Sequence, residues 1–391
     1  MKRQNLWLVS LLLMGLWACN NEGDGNVLMP PVMEEPDVET PVRAEMVLSG
    51  LNHPWGMAFI DEDTWLLTER NEDLLLIENG VAQVLNHGLE VQSGGQGGLL
   101  DIRVAPGFAQ SGFIYLSYAK KGSNNTSTLA LVRFKVNGTQ IEGMEELFEA
   151  RPYHSGNLHF GSRITFDDQG HVFVSLGDRY HYGAASSLAN PGQSFPQDLT
   201  KHWGKIIRLN LDGSIPTDNP FVGQPSALPE IYSYGHRNPQ GIAFDKSSNQ
   251  LFINEHGARG GDEINLVSAG KNYGWPVITY GRDYNGRSIG EGTSKSGMEQ
   301  PLMYYDPSVA PSSHLIYTGN VYSAWSGDHF MSTLADQSLI RLTWDGTEMV
   351  QQEVLFPNSL GRIRHIAQSP DGFLYLLIDA DRGGIIKLVT D

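Results

Sequence analysis

A single cysteine in 391 residues leaves no partner for an intrachain disulfide, so the fold rests on packing and hydrogen bonds alone. Charge is scarce and lopsided: 44 Asp and Glu stand against 27 Lys and Arg, a formal charge of −17 at neutral pH. Such a balance repels phosphate backbones and anionic lipid surfaces. It argues against nucleic-acid binding and polybasic membrane docking, and favours a neutral, polar partner. The apolar run near the N-terminus, Leu6 to Trp17, has twelve residues and is too short to span a bilayer. No segment of helical length carries a 3.6-residue apolar period, which excludes coiled coil. What is abundant is glycine, 44 residues, together with 8 Trp, 15 Tyr and 15 Phe; this is the composition of many short strands joined by tight turns. The length allows two or three average domains or one large β architecture.

Lys2 and Arg3 ahead of the apolar run give it the form of a signal-peptide core, so export is expected. The run ends Leu16-Trp17-Ala18-Cys19, which resembles the bacterial lipoprotein processing site: a small residue, then a cysteine that is lipidated and becomes residue one. Residues 1–19 are therefore read as a lipoprotein signal with Cys19 as the lipidation site, although Trp17 is unusual there. An ordinary signal peptide cut nearby is the alternative. Residues 20–43 carry Glu22, Asp24, Glu34, Glu35, Asp37 and Glu39, four prolines and no basic residue before Arg43, and read as an extended acidic tether. The expected location is the cell envelope, facing the periplasm or at the surface, with the membrane reached through the lipid only.

Residues 44–391 repeat at low resolution. An apolar strand, a polar turn and a second apolar strand occur at Gly56–Phe59 with Thr64–Glu69, Leu100–Val104 with Phe113–Tyr118, Arg163–Phe166 with His171–Asp178, and Gly241–Phe244 with Gln250–Glu255. A degenerate fifth copy runs from Tyr317 through Tyr322 into Phe330–Leu334, and a sixth joins Arg364–Gln368 to Phe373–Asp379. Each is followed by a further apolar strand. Six units averaging about 58 residues match four-stranded blades with one or two long loops. The sequence is read as an all-β chain, a single six-bladed β-propeller; an eight-stranded barrel or two-sheet jelly roll is the alternative.

Long insertions at 179–203, 212–234 and 276–316 mark the functional face, because a propeller needs only short turns. They bring His181, Tyr182, Trp203, Tyr232, Tyr234, Trp275, Tyr280, Tyr284, Tyr304 and Tyr305, aromatics suited to stacking on sugars or a flat cofactor, or to a plain loop core. The turn Tyr234–Gly241 places Arg237 and Asn238 at the mouth of the funnel. The Gly-rich loop from Glu255 to Glu263 can turn carbonyls toward a hard cation, with Glu263 supplying charge, the oxygen-only donor set Ca2+ prefers. A flexible turn capped by acids is the bland reading. His53, His87, His171 and His329 read as surface or turn residues.

The runs HFGSRI (159–164), LGD (176–178), GKIIRLNLDGSIPTDNPF (204–221), YSYGHRNPQGIAF (232–244), EHGARGGDEINL (255–266), KNYGWPVITYG (271–281) and RIRHIAQSPDG (362–372) resemble the soluble pyrroloquinoline quinone (PQQ)-dependent sugar dehydrogenases. The resemblance spans nearly the whole chain after the tether. It implies that His159 is the base that takes the anomeric hydroxyl proton while hydride passes to the quinone, a task for which imidazole is suited by a pKa near neutrality. Asp178 would orient and charge that histidine, and Arg237 and Asn238 would hold and polarise the quinone. Arg362 and Arg364, at alternate positions of a strand, would clamp its carboxylates. Gly257 and Ala258 would offer carbonyls to a Ca2+ that also chelates the quinone, Ala258 replacing a more usual proline. Glu263, Tyr273 and Asp283 would form a second, structural Ca2+ site, and Gln96 would contact sugar.

Two positions depart from that pattern. Ala335 stands where a lysine normally contacts the quinone, with Lys205 or Lys271 as possible substitutes. Leu158 stands where glucose-specific relatives have a carboxylate, so glucose specificity is not implied. The leading expectation is a PQQ- and Ca2+-dependent oxidation of aldoses to lactones, with electrons passed to a periplasmic acceptor. A non-catalytic carbohydrate- or protein-binding propeller and a Ca2+-dependent propeller lactonase are the alternatives.

Overall fold

The structure, a computed structural model, describes residues 42–181 and 194–390. Six four-stranded antiparallel sheets follow one another along the chain, and their innermost strands touch in a closed ring, the arrangement of a six-bladed β-propeller. In chain order those innermost strands are Pro54–Phe59, Leu99–Val104, Ile164–Phe166, Pro239–Asp245, Pro311–Ile316 and Ile363–Gln368, defining blades 1 to 6. Local chemistry accounts for the turns. In blade 4, Asp245 caps the hairpin by accepting from the backbone and hydroxyl of Ser247, and Asn249 takes the left-handed conformation (φ 55°) that returns the chain into Gln250–Glu255.

The cores lie between blades rather than within them. Leu66 and Leu76 of blade 1 pack with Ile102, Leu116 and Phe134 of blade 2, and Phe173 and Ile206 of blade 3 with Ile242 and Ile253 of blade 4. The ring is closed by hydrogen bonding between the first and last described strands. The strand Val42–Leu51 pairs with Gly383–Thr390 and completes blade 6 as its outermost strand. This strand takes in Val42 and Arg43, which the sequence reading gave to the tether.

Blade 5 differs from expectation. Its innermost strand is Pro311–Ile316, inside the stretch read as a loop, and it pairs with His329–Thr333. Tyr317 and Tyr322, expected in that strand, are instead buried beside Trp325 in the core shared with blade 6. The strand escaped notice because Ser312, Ser313 and His314 interrupt its apolar pattern. His329, expected at a surface or turn, is buried and hydrogen-bonded to His314 at 2.9 Å. Two further strands lie within stretches read as insertions: Ile231–Tyr234 and Met303–Tyr305 are the outermost strands of blades 3 and 4.

Arg163, at the start of the innermost strand of blade 3, fills the propeller axis and is fully buried. Its guanidinium donates to the carbonyls of Gln240 (2.9 Å), Ser312 (2.7 Å), Arg364 (2.6 Å) and Trp55 (3.4 Å), to Asp101 Oδ1 (3.2 Å) and to His365 Nδ1 (2.9 Å). One side chain thereby touches all five other blades. Its charge lies 3.9 Å over the Trp55 ring, which lines the cavity above.

Candidate active site

Above Arg163 the funnel holds a cavity of about 140 Å3, lined among others by Trp55, Arg70, Gln96, Asn238, His256, Arg362 and Arg364. His159 sits on the loop that follows blade 2, in a left-handed conformation (φ 51°). Gly177 permits this approach: a Cβ there would lie 2.3 Å from the His159 carbonyl oxygen and 2.7 Å from Asn238 Oδ1. The loop is also held from below by Arg179, which donates to the carbonyls of Leu158 (3.0 Å) and Gly156, and to Ser127 Oγ (3.0 Å). Its guanidinium stacks 3.8 Å over Phe160.

His159 Nδ1 lies 2.6 Å from Asp178 Oδ1, and both residues are buried. Asp178 also accepts from Trp275 Nε1 (2.8 Å) and the Tyr180 amide (2.8 Å). Burial works against ionisation of Asp178, yet His159, Arg237 and the Trp275 hydrogen bond hold its carboxyl below the usual range. Burial also lowers the pKa of His159, and the Asp178 carboxylate only partly offsets it. The pair at neutral pH is therefore a neutral imidazole donating from Nδ1 to a carboxylate. Nε2 keeps its lone pair and makes no hydrogen bond among the described residues, which is the condition of a poised proton acceptor. Tyr180 meets the imidazole edge to face at 5.1 Å.

Gln96 holds the same loop: its Oε1 accepts from the His159 backbone amide (2.7 Å) and its backbone N–H donates to the Asn157 carbonyl (2.9 Å). Asn238 Oδ1 accepts from the Gly161 amide (3.2 Å), and Arg237 donates to the His256 carbonyl (3.1 Å). Arg364 is partly neutralised, pairing with Asp379 Oδ2 at 2.6 and 3.2 Å, while Arg362 donates only to the Leu334 carbonyl at 3.3 Å.

Gly257 and Ala258 line an adjoining cavity of about 470 Å3 with Tyr284 and Ala335, sharing His256 and Ala310 with the funnel cavity. Glu263 and Tyr273 line a small enclosed space with Glu255 and Gly257. There Asn265 Nδ2 bridges Glu255 Oε1 (3.3 Å) and Glu263 Oε2 (3.1 Å). Burial and the neighbouring Glu255 push the Glu263 carboxyl up to about 8. Tyr273 contributes no side-chain ligand, because its hydroxyl donates to the Leu266 carbonyl (2.7 Å) and accepts from the Ser268 amide (2.9 Å). Asp283 is not brought to this space: its carboxylate caps a hairpin tip by accepting from the Asn285 amide (3.2 Å).

Neither proposed lysine reaches the site. Lys205 is buried and donates to the carbonyls of Phe195, Pro196 and Trp203, and Lys271 pairs on the surface with Glu299. Of the loop aromatics, Trp203 is buried, Tyr305 is partly buried against the core of blade 4 and Tyr280 stacks on Tyr304, whereas Trp275 and Tyr284 face the site; Tyr182 lies outside the described residues. Sequence reasoning missed Arg70, Arg179, Glu255 and His256. The last two stood in the EHG run, next to residues that were singled out. Cys19 and the tether also lie outside the described residues.

A six-bladed propeller with a histidine–aspartate pair beside an arginine-lined axial funnel defines a class of funnel-site enzyme, and comparison with known proteins makes it specific. Residues 51–387 match the Glucose / Sorbosone dehydrogenase family, and the chain belongs to it. It is 36% identical to the aldose sugar dehydrogenase YliI of Escherichia coli, over 99% of both chains. It is 28% identical to quinoprotein glucose dehydrogenase B of Acinetobacter calcoaceticus, over 86% of this chain and 85% of that one. The apo crystal structure of the E. coli aldose sugar dehydrogenase superposes with a TM-score of 0.84, covering 90% of this chain and all of that one. The PQQ-bound aldose sugar dehydrogenase of Streptomyces coelicolor does so with a TM-score of 0.71 at 25% identity, covering 90% of this chain and 99% of that one. This is a family of sugar-oxidising enzymes.

Proposed function

We propose that this protein oxidises aldoses at the anomeric carbon to lactones, with PQQ as hydride acceptor and His159 as general base. The observation that carries the reading is the neutral His159, its Nδ1 committed to buried Asp178 and its Nε2 left to accept a proton beside the funnel. The residues present fit the cofactor's chemistry: Asn238, Arg362 and Arg364 line the cavity where a flat polycarboxylate needs positive charge and hydrogen bonds, and Arg237 stands next to it, bonded to the carbonyl of the lining residue His256. Backbone carbonyls of Gly257 and Ala258 would hold Ca2+, and the Glu255–Glu263 pair would hold a second ion. When bound, the quinone supplies a two-electron acceptor for the anomeric hydrogen, and Ca2+ makes it more electrophilic.

This chain's own contribution is to the proton. His159 Nε2 takes it from the anomeric hydroxyl as the C–H bond breaks, leaving a C=O bond in the lactone, and Asp178 stabilises the imidazolium that forms. Trp275 and Tyr180 keep Asp178 oriented. Tyr180 and Tyr284, exposed beside the site, offer ring faces to the sugar. A periplasmic acceptor would take up the two electrons, consistent with the expected export of the chain.

The test adds PQQ and Ca2+ to the purified chain and follows dye reduction over a panel of aldoses. Reduction that needs both additions is expected, and His159→Ala should lower turnover about 10²–10⁴-fold with PQQ affinity unchanged. Ester or lactone hydrolysis without quinone, or sugar binding without turnover under any condition, would overturn the reading in favour of a hydrolase or a binding module.

A further inference from the structure

Three arginines, not two, line the funnel cavity. Arg70 follows the second strand of blade 1, Thr64–Glu69, and its amide donates to the His53 carbonyl at 3.0 Å. The loop that carries Gln96 lies directly on it. A Cβ at Gly98 would stand 1.8 Å from the Arg70 carbonyl oxygen and 2.9 Å from Arg70 Cγ, so only glycine lets this loop close over the arginine. The loop and the side chain beneath it both face the cavity.

Charge around this cavity does not balance. No carboxylate is among its lining residues. The nearby Asp379 is taken by Arg364 at 2.6 Å and by His53 Nδ1 at 2.6 Å. Among the described residues the Arg70 guanidinium makes no ion pair or hydrogen bond, and Arg362 has only the Leu334 carbonyl. Burial works against the charge on both Arg70 and Arg362, and Arg364 opposes each further; Asp379 favours both charges and the exposed Asp381 favours that on Arg70. Guanidiniums crowded into a half-buried cavity with one buried acid already shared are stabilised by an anion that supplies planar oxygen pairs. Across the cavity wall Ala335 adds no charge.

We propose that Arg70 is a third arm of the anion clamp, binding one carboxylate of a planar polycarboxylate while Arg362 and Arg364 hold another from the neighbouring blade. The proposal rests on the quinone reading and names the residue that supplies the basic group position 335 lacks.

The experiment compares the parent chain with Arg70→Met and Arg70→Lys, with Arg151→Met as an exposed control, in Ca2+ buffer. Binding of PQQ, of its trimethyl ester and of benzene-1,2,4-tricarboxylate is measured by calorimetry, with circular dichroism establishing that each variant is folded. Arg70→Met should weaken PQQ about ten- to a hundredfold, the loss of one charge-assisted contact. Arg70→Lys should fall between it and the parent, and the ester should bind parent and Arg70→Met alike. Equal PQQ affinity in parent and Arg70→Met overturns the proposal, as does an Arg70→Met loss that is as large for the ester. A parent that binds the benzene tricarboxylate through Arg70 but not PQQ keeps the arginine clamp and sinks the quinone reading; a parent that binds neither overturns both.

Discussion

Replacing Arg163 by methionine tests whether the propeller axis is held by one cation. Methionine keeps much of the apolar stem and removes the guanidinium, so the carbonyls of Gln240, Ser312 and Arg364 and the Asp101 carboxylate lose a donor where water has little access. Asp101 keeps its bonds to the Ile164 amide (2.8 Å) and Arg103 Nε (3.3 Å), which softens but does not cancel the deficit. Burial draws the Arg163 pKa down to about 9, which still leaves it charged at neutral pH, so a real ion pair is broken. Removing one partner of a buried pair costs about 3–5 kcal/mol. Equilibrium urea denaturation followed by tryptophan fluorescence should show Arg163→Met destabilised by about that amount. Adding Asp101→Asn removes the stranded charge, so the double variant should be more stable than additivity requires by at least about 1 kcal/mol. A loss below about 1 kcal/mol, or strict additivity, would refute the idea that this guanidinium ties the blades together.

Because burial lowers the pKa of His159, the base is deprotonated down to pH values below 6.5. The acid limb of kcat/KM should accordingly fall below pH 6.5, with activity lost as pH drops through it; a limb above pH 7 would contradict the neutral pair facing Asp178, Arg237, Arg179 and His256. At the other end of the chain, Cys19→Ser should move the protein from the detergent phase to the aqueous phase while leaving a folded propeller, since a lipid chain would be its only membrane attachment. Retention of the variant in the detergent phase would refute lipid anchoring.

Blade count was legible because a propeller repeats one hydrophobic rhythm, and five of the six innermost strands carry it. Blade 5 hid its strand because polar side chains replace apolar ones there and are satisfied internally: Ser312 Oγ donates to the Ile363 carbonyl (2.5 Å), and His314 Nε2 meets His329 Nδ1 (2.9 Å). His159, Asp178, Arg237, Asn238 and the arginines of blade 6 stand in motif-like runs; Asn238, Arg362 and Arg364 line the funnel cavity, and the His159–Asp178 pair and Arg237 lie beside it. Arg70 could not be read this way. It lies in an ordinary strand end, and its place at the cavity depends on Gly98 lying 28 residues along the chain. Asp283 failed for the opposite reason, since closeness in sequence to the Tyr273 segment does not prevent a hairpin from carrying its carboxylate elsewhere. Gln96 is subtler: the structure occupies its oxygen with the His159 amide, leaving only its NH2 group for a sugar.

The pairing of Val42 with Thr390 makes the first and last strands of the propeller neighbours in the finished ring. Within the described residues the ring has no structural beginning: its strands could be opened at any loop between blades and joined instead from Thr390 to Val42. It also sets an order of events. The strand Val42–Leu51 finds its partner only when the last strand exists, so until then it offers an unpaired edge to any other chain nearby. Completion of the circle and protection from mispairing are thus the same step.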